Sequence, residues 1–309
     1  FTFPGTAEAL IRADRRGVDV HVLLNSEIRR PQQRDLLAKA LGKSTKKRSW
    51  VVVRSGGLRM HSKFLLLSPT ATQPAVVWVS SGNLTTASGV QQANEALITR
   101  GDQPLYDFLA EQFELMRSGV ADPERLGRVA ETTTALIRSF PVPADGTASD
   151  PVLNLLSDVT CVHGEERTVV RLGQLFLTIE RLGVAKRLRQ LKESGCDVRV
   201  IGHLSVWVDE AEQILLKRGP GRIDLRDSLD TAIHTKITTI EGWDAAGEPL
   251  QVAMVGTHNL TGRALAGDED GAMNDEVSLT LHDPKVVRTY SDWVDKFIRD
   301  HSSPAEPAG

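Results

Sequence analysis

The chain has 309 residues, 40% of them hydrophobic and 25% charged, with a formal net charge of −3. That is an ordinary soluble composition with apolar content for one large or two smaller cores, and it excludes a disordered tail, a collagen-like rod and a small disulfide-stapled scaffold. No apolar run approaches the roughly 18–20 residues of a membrane-spanning helix, and the slightly acidic balance argues against a dedicated nucleic-acid binder.

In chain order, the opening Phe-Thr-Phe reads as the end of a strand, so an N-terminal piece carrying any signal peptide is expected ahead of Phe1. "ALIRADRRGVDVHVLLN" then reads as a helix, a turn at Gly17 and a strand over Val18–Leu24. "AKRLRQLKESGCDVRVIG" repeats that order 178 residues later, with Gly195 at the turn and a strand over Cys196–Ile201. "RMHSKFLLLS" matches "AIHTKITTIE" at 173, "VWVSSGNLTTAS" matches "AMVGTHNLTGRA" at 176, and "ANEALI" matches "MNDEVSLTL" at 181. Two amphipathic helical segments follow Asp102 and Asp283, again 181 apart. Features in one order at a nearly constant offset mark an internal duplication.

Strands alternating with helices predict an α/β fold with a mixed sheet in each half. "FLLLS", "AVVWVS", "VAMVG" and "VSLTL" read as short buried strands. The expected boundaries are a first repeat over 1–140, a Pro/Gly/Ala/Ser-rich linker over 141–151, a second repeat over 152–301 and a disordered tail over 302–309. Residues 1–150 hold 19 Lys and Arg against 15 Asp and Glu, a net of +4, while the remainder nets −7. A basic first half suits an anionic substrate and suits a solvated face equally.

Each copy carries His, Lys two residues on, Asn further along and then Glu: His61, Lys63, Asn83 and Glu95, then His234, Lys236, Asn259 and Glu276. Strand alternation puts each His and Lys on one face. A lone His-x-Lys is usually surface, and an Asn before Leu-Thr is usually a turn or cap; the paired order inside a duplication points instead to a shared phosphodiester site. One imidazole attacks phosphorus and the other acts as general acid and base. Lys and Asn hold the non-bridging oxygens, and each Glu orients its imidazole through the other ring nitrogen. No cofactor and no metal are expected.

These motifs resemble the phospholipase D superfamily, whose signature His-x-Lys-(x)4-Asp is followed by Gly/Ser-x-Asn, twice per site. "HSKFLLLS" with "SSGNLT" and "HTKITTIE" with "GTHNLT" carry the resemblance, which spans nearly the whole chain; it looks closest to secreted actinobacterial phospholipase-D-like proteins. The resemblance implies two pseudo-symmetric lobes with the active site at their interface, no metal requirement and a phosphohistidine intermediate, with His61 as nucleophile and His234 as general acid. The motif Asp is replaced by Ser68 in the first copy and Glu241 in the second.

The expected function is hydrolysis of a phospholipid to phosphatidate and free head-group alcohol, with alcohol exchange. The partners are a phospholipid or other phosphodiester and a peripheral membrane surface, and the chain is expected to be monomeric. A nuclease is the alternative, supported by Lys39, Lys43, Lys46, Lys47 and Arg48, which read equally as a solvated loop. A non-catalytic phosphate-binding protein is a further one, supported by Ser68 and Glu241. Trp207 is a candidate for either a lipid-facing rim or the core. By arithmetic Cys161 and Cys196 are two free thiols or one disulfide; the secreted location implied by the resemblance favours the disulfide.

Overall fold

The computed structural model describes residues 2–26, 31–54, 58–142, 150–217, 219, 221–229 and 231–305. Its first lobe opens with α1 (Pro4–Arg15), β1 (His21–Asn25), α2 (Gln32–Leu41) and β2 (Trp50–Arg54). Pro4 begins α1 where its missing N–H is not needed, and Gly17, at φ +95°, turns the chain out of it. β1 and β2 pair in parallel, and α1 and α2 cover them through Ala7, Ile11, Leu24, Leu37 and Val51. Then follow β3 (Arg59–Met60), β4 (Phe64–Leu67), β5 (Val76–Ser80), α3 (Thr86–Val90), β6 (Gln92–Ala93), β7 (Ala96–Arg100) and α4 (Gln103–Arg117). Strands β4, β5 and β7 form a separate antiparallel sheet. The one-turn α5 (Pro123–Leu126) leads to β8 (Val129–Glu131) and β9 (Leu136–Phe140).

The second lobe runs through α6 (Pro151–Ser157), a small hairpin of β10 (Val162–His163) and β11 (Glu166–Arg167), β12 (Val169–Gln174), α7 (Leu182–Glu193) and β13 (Asp197–Gly202). It continues with α8 (Asp209–Leu216), β14 (Asp224–Ser228), β15 (Ala232–Ile233), β16 (Lys236–Trp243) and β17 (Pro249–Gly256). β18 (Asn274–Leu281), α9 (Pro284–His301) and β19 (Ser302–Pro304) close it. The large mixed sheet has the order β19-β14-β13-β12-β16-β17-β18-β9-β8, with β3 attached to β18. Helices α6, α7 and α8 cover one face through Leu156, Leu188 and Leu215. The other face packs on α9 and, beyond it, on the first lobe: Val77, Leu105 and Leu109 share a cluster with Ile237, Val255 and Val294. This common apolar core joins the two halves, as the α/β two-lobe expectation requires.

The duplication is visible in backbone detail. Asp102 caps α4 by accepting from Leu105 N–H, and Asp283 caps α9 by accepting from Lys285 and Val286 N–H. The Thr2 N–H donates to Leu84 O, and the Thr178 N–H donates to Leu260 O, each pair 176 residues from its counterpart.

Several expectations change. Thr2 and Phe3 lie in no strand; both N–H groups are used by Leu84 O before α1 starts. Residues 129–140, counted with the first repeat, add β8 and β9 to the second lobe's sheet, because β9 satisfies the free edge of β18. The tail begins ordered: β19 pairs with β14, and Ala305 N–H reaches Leu225 O. Most of the linker, residues 143–149, lies outside the described residues. At its end, Asp150 caps α6 and pairs with the buried Arg181. Cys161 and Cys196 form a disulfide that ties the segment ahead of the β10–β11 hairpin to the start of β13.

Candidate active site

Each site histidine follows a two-residue strand, and each of those strands pairs in parallel with the other repeat. β3 lies against the start of β18 with Arg59 opposite Asn274 and Met60 opposite Asp275, and His61 N–H donates to Asp275 O at 3.1 Å. β15 lies against β6 with Ala232 opposite Gln92 and Ile233 opposite Ala93, and His234 N–H donates to Ala93 O at 2.8 Å. Two short crossings thus bring two distant motifs face to face.

The registers differ by one residue. Continuing the β3–β18 register sets His61 level with Glu276, and its Nδ1 lies 2.7 and 2.8 Å from the two carboxylate oxygens. Continuing the β15–β6 register sets His234 level with Asn94, and its Nδ1 lies 2.9 Å from Asn94 Oδ1. The expectation that each Glu orients its imidazole is therefore corrected. Glu276 orients His61 of the other repeat, and Glu95 touches no imidazole: its Oε1 accepts from the backbone N–H of Lys236 at 3.0 Å. Asn94, missed from sequence, takes the place beside His234. Its signal was present as an extra residue in the second copy, Asn-Asp-Glu (274–276) against Asn-Glu (94–95).

Glu276 is fully buried and held by Thr257 Oγ1 at 2.6 Å and Asn274 Nδ2 at 3.0 Å. Burial would raise its pKa, but the charge and hydrogen bond of His61, with Lys63 and Thr257, hold it below the usual carboxylate value. Burial lowers the His61 pKa against the pull of Glu276. His234 has no such carboxylate, and burial followed by the charges of Lys236, Lys63 and His61 pushes it down to about 2. Lys63, lowered to about 8 by burial, donates its ammonium to His61 O. Lys236 does the same to His234 O; burial depresses its pKa and raises that of Glu95 despite their attraction. Asp275, pushed up to about 7 by burial, accepts from Ser62 Oγ at 2.7 Å.

The two asparagines differ as well. Asn83 is exposed in the loop before α3, whereas Asn259 is buried. Its Oδ1 has no hydrogen-bond partner among the described residues. Of the positions replacing the motif Asp, Ser68 is exposed just beyond β4, and Glu241 in β16 pairs with Arg171 and Arg288 at 2.8 and 2.9 Å. Glu241 is therefore a structural anchor. Trp207 is core: it is buried at 6% exposure and donates Nε1–H to Leu175 O at 2.9 Å. Lys39, Lys43, Lys46 and Lys47 are exposed, while Arg48 staples β2 to α1 through Asp14 at 2.7 Å. Among the described residues no three His, Cys, Asp or Glu side chains stand together to hold a metal ion.

The family model for the cardiolipin synthase, PLD-like domain matches residues 1–117 and 169–298, which is most of the chain and both motif copies. The chain belongs to the phospholipase D superfamily. Enzymes of this superfamily act on phosphodiester bonds. Among solved structures, the phospholipase D fold of this chain is similar to polyphosphate kinase from Porphyromonas gingivalis, at a TM-score of 0.60 and 15% identity over 98% of this chain. It spans only 45% of that kinase. Phosphatidylserine synthase from Haemophilus influenzae Rd KW20 follows at a TM-score of 0.59 and 10% identity, covering 98% of this chain and 86% of that one. Yeast tyrosyl-DNA phosphodiesterase is similar at 0.53 and 10% identity, with 91% and 81% covered. At these identities the likeness is one of fold. A search of curated proteins finds no match.

Proposed function

We propose that this phospholipase D superfamily member hydrolyses a phospholipid at the head-group phosphodiester through a phosphohistidine intermediate, without a metal ion. The observation that carries the reading is the unequal pairing of the two imidazoles, His61 on a carboxylate and His234 on an amide.

Glu276 accepts the Nδ1–H of His61, which leaves the Nε2 lone pair free to attack phosphorus. Phosphorylation at Nε2 makes that ring cationic, and the buried carboxylate then stabilises the covalent intermediate. As the phosphorus–oxygen bond to the head group breaks, His234 Nε2 gives its proton to the departing alcohol oxygen. The negative charge of the bound phosphodiester offsets the Lys236 and Lys63 charges around His234, so its Nε2 takes up a proton from water as substrate binds, and the buried ring then gives that proton up readily to the alcohol. In the second half, His234 takes a proton from water, the hydroxyl attacks phosphorus, and His61 is released. An alcohol in place of water gives head-group exchange. Lys63, Lys236 and Asn259 supply positive charge and hydrogen bonds for the non-bridging oxygens, the work a dication does elsewhere. The disulfide supports an oxidising, extracellular setting.

The test uses phosphatidylcholine and mixed-head-group vesicles with EDTA and ethanol, following free head group and phosphatidylethanol. Both products from the native enzyme, absent with His61→Ala or His234→Ala, support the reading; no product from any lipid overturns it. The exposed lysines between α2 and β2 favour a nuclease as second reading, tested on single-stranded DNA in the same samples.

A further inference from the structure

We infer that Gln174 reads the head group: its side-chain amide accepts a hydrogen bond from a hydroxyl or amine on the departing alcohol, so the site favours head groups that carry such a donor. The inference rests on the phospholipase D reading above and on the placement of the last residue of β12.

In the antiparallel β12–β16 ladder Gln174 stands opposite Lys236, and residues directly opposite in a ladder present their side chains on one face. Gln174 therefore lies beside Lys236, in the lobe that supplies His234. It is 1% exposed, as is Lys236. Its Oε1 has no hydrogen-bond partner among the described residues, because the neighbouring ammonium is turned to His234 O. A buried amide oxygen without a partner is costly, and a strand end in a well-packed sheet would more cheaply carry an apolar residue. A substrate that supplies the missing donor removes the cost. His61 attacks from the other lobe, so the alcohol departs on the side of His234, in the lobe where Gln174 stands opposite Lys236. Glycerol, serine and ethanolamine offer O–H or N–H groups there. The quaternary nitrogen of choline offers none.

O-phosphoethanolamine and phosphocholine share the phosphate and differ only by N-methylation, so their binding to the native chain isolates the donor without needing turnover. Calorimetry on native protein and on Gln174→Met, which keeps the length and volume, is the first measurement. Native protein is expected to bind phosphoethanolamine about tenfold more tightly, the scale of one buried hydrogen bond. Gln174→Met is expected to bind both equally with a melting temperature at or above that of the native chain, and Gln174→Asn to recover part of the preference. Equal binding by the native chain, or a preference that survives in Gln174→Met, overturns the inference. The same ratio is then read as kcat/KM on phosphatidylethanolamine against phosphatidylcholine vesicles. A binding preference with no lipid turnover rejects the phospholipase reading and leaves Gln174 as a donor-seeking subsite; turnover without preference does the reverse.

Discussion

The two lobes carry the same ordered motifs but build different sheets. In the second, β12 pairs with β13 on one side and β16 on the other, so helix-linked and motif-bearing strands form one continuous sheet. In the first, β1–β2 and β4–β5–β7 are separate sheets, with no described strand joining β1 to β4. The consequence is visible in burial. Lys236 to Ile240 of β16 are all buried, whereas Phe64, Leu65 and Leu66 of β4 are only half-buried and Leu67 is exposed. A strand paired on both edges and covered on both faces leaves water nowhere to reach. Similar sequence thus yields a motif-bearing strand buried through Ile240 in the second lobe and partly exposed in the first, while the unequal partners of the two imidazoles come from the one-residue difference in register.

The sharpest way to break the comparison is to remove each imidazole in turn. With a natural alcohol leaving group, His61→Ala and His234→Ala should each lower kcat by 10³-fold or more, an order of magnitude drawn from paired acid–base and nucleophilic catalysis. With p-nitrophenol as leaving group no proton is needed, so His234→Ala should recover most of its burst of product while His61→Ala stays silent. Equal behaviour on both substrates would mean the roles are not divided this way.

The partners come next. Glu276→Gln should cost about 10²-fold in kcat by weakening support for the cationic intermediate. Asn94→Asp should give His234 a carboxylate and raise its pKa, moving upward the alkaline limb of the kcat/KM profile, where the general acid loses its proton. A profile that does not move would deny Asn94 a role at His234.

A smaller effect follows from Lys63. Its folded pKa, lowered to about 8, means that the ammonium is lost as pH rises through that value, so kcat/KM should fall above about pH 8. Lys63→Arg should hold activity at higher pH, since guanidinium does not titrate there.

Stability changes complete the series. Opening the Cys161–Cys196 loop, whose ends lie 35 positions apart in sequence, should cost about 2–4 kcal/mol, read as a lower melting temperature for the second lobe. Asp275 works the other way. Its carboxyl keeps its proton up to about pH 7 in the folded chain but loses it near pH 4 when unfolded. The folded state therefore holds more protons across that window, and stability falls as pH rises through it. Asp275→Asn should flatten that slope and raise the melting temperature at pH 7.5 by a few degrees, checked by calorimetry at pH 5 and pH 7.5.

The sequence by itself determined the duplication, the α/β class and the eight polar residues that recur in order, because helix stops at Gly17 and Gly195, caps at Asp102 and Asp283 and the His-x-Lys spacing are local signals. Only the tertiary structure decided which residues meet. Glu276 serves His61, Asn94 serves His234 and Glu95 serves the Lys236 backbone, because two parallel strand pairs join the repeats one residue out of step. A one-residue step in a strand reverses the face a side chain presents, and nothing local to either motif encodes the register of its distant partner. The burial of Trp207, the structural use of Glu241 and the position of Gln174 beside Lys236 are likewise properties of packed neighbours, set by pairings 32 to 70 residues apart.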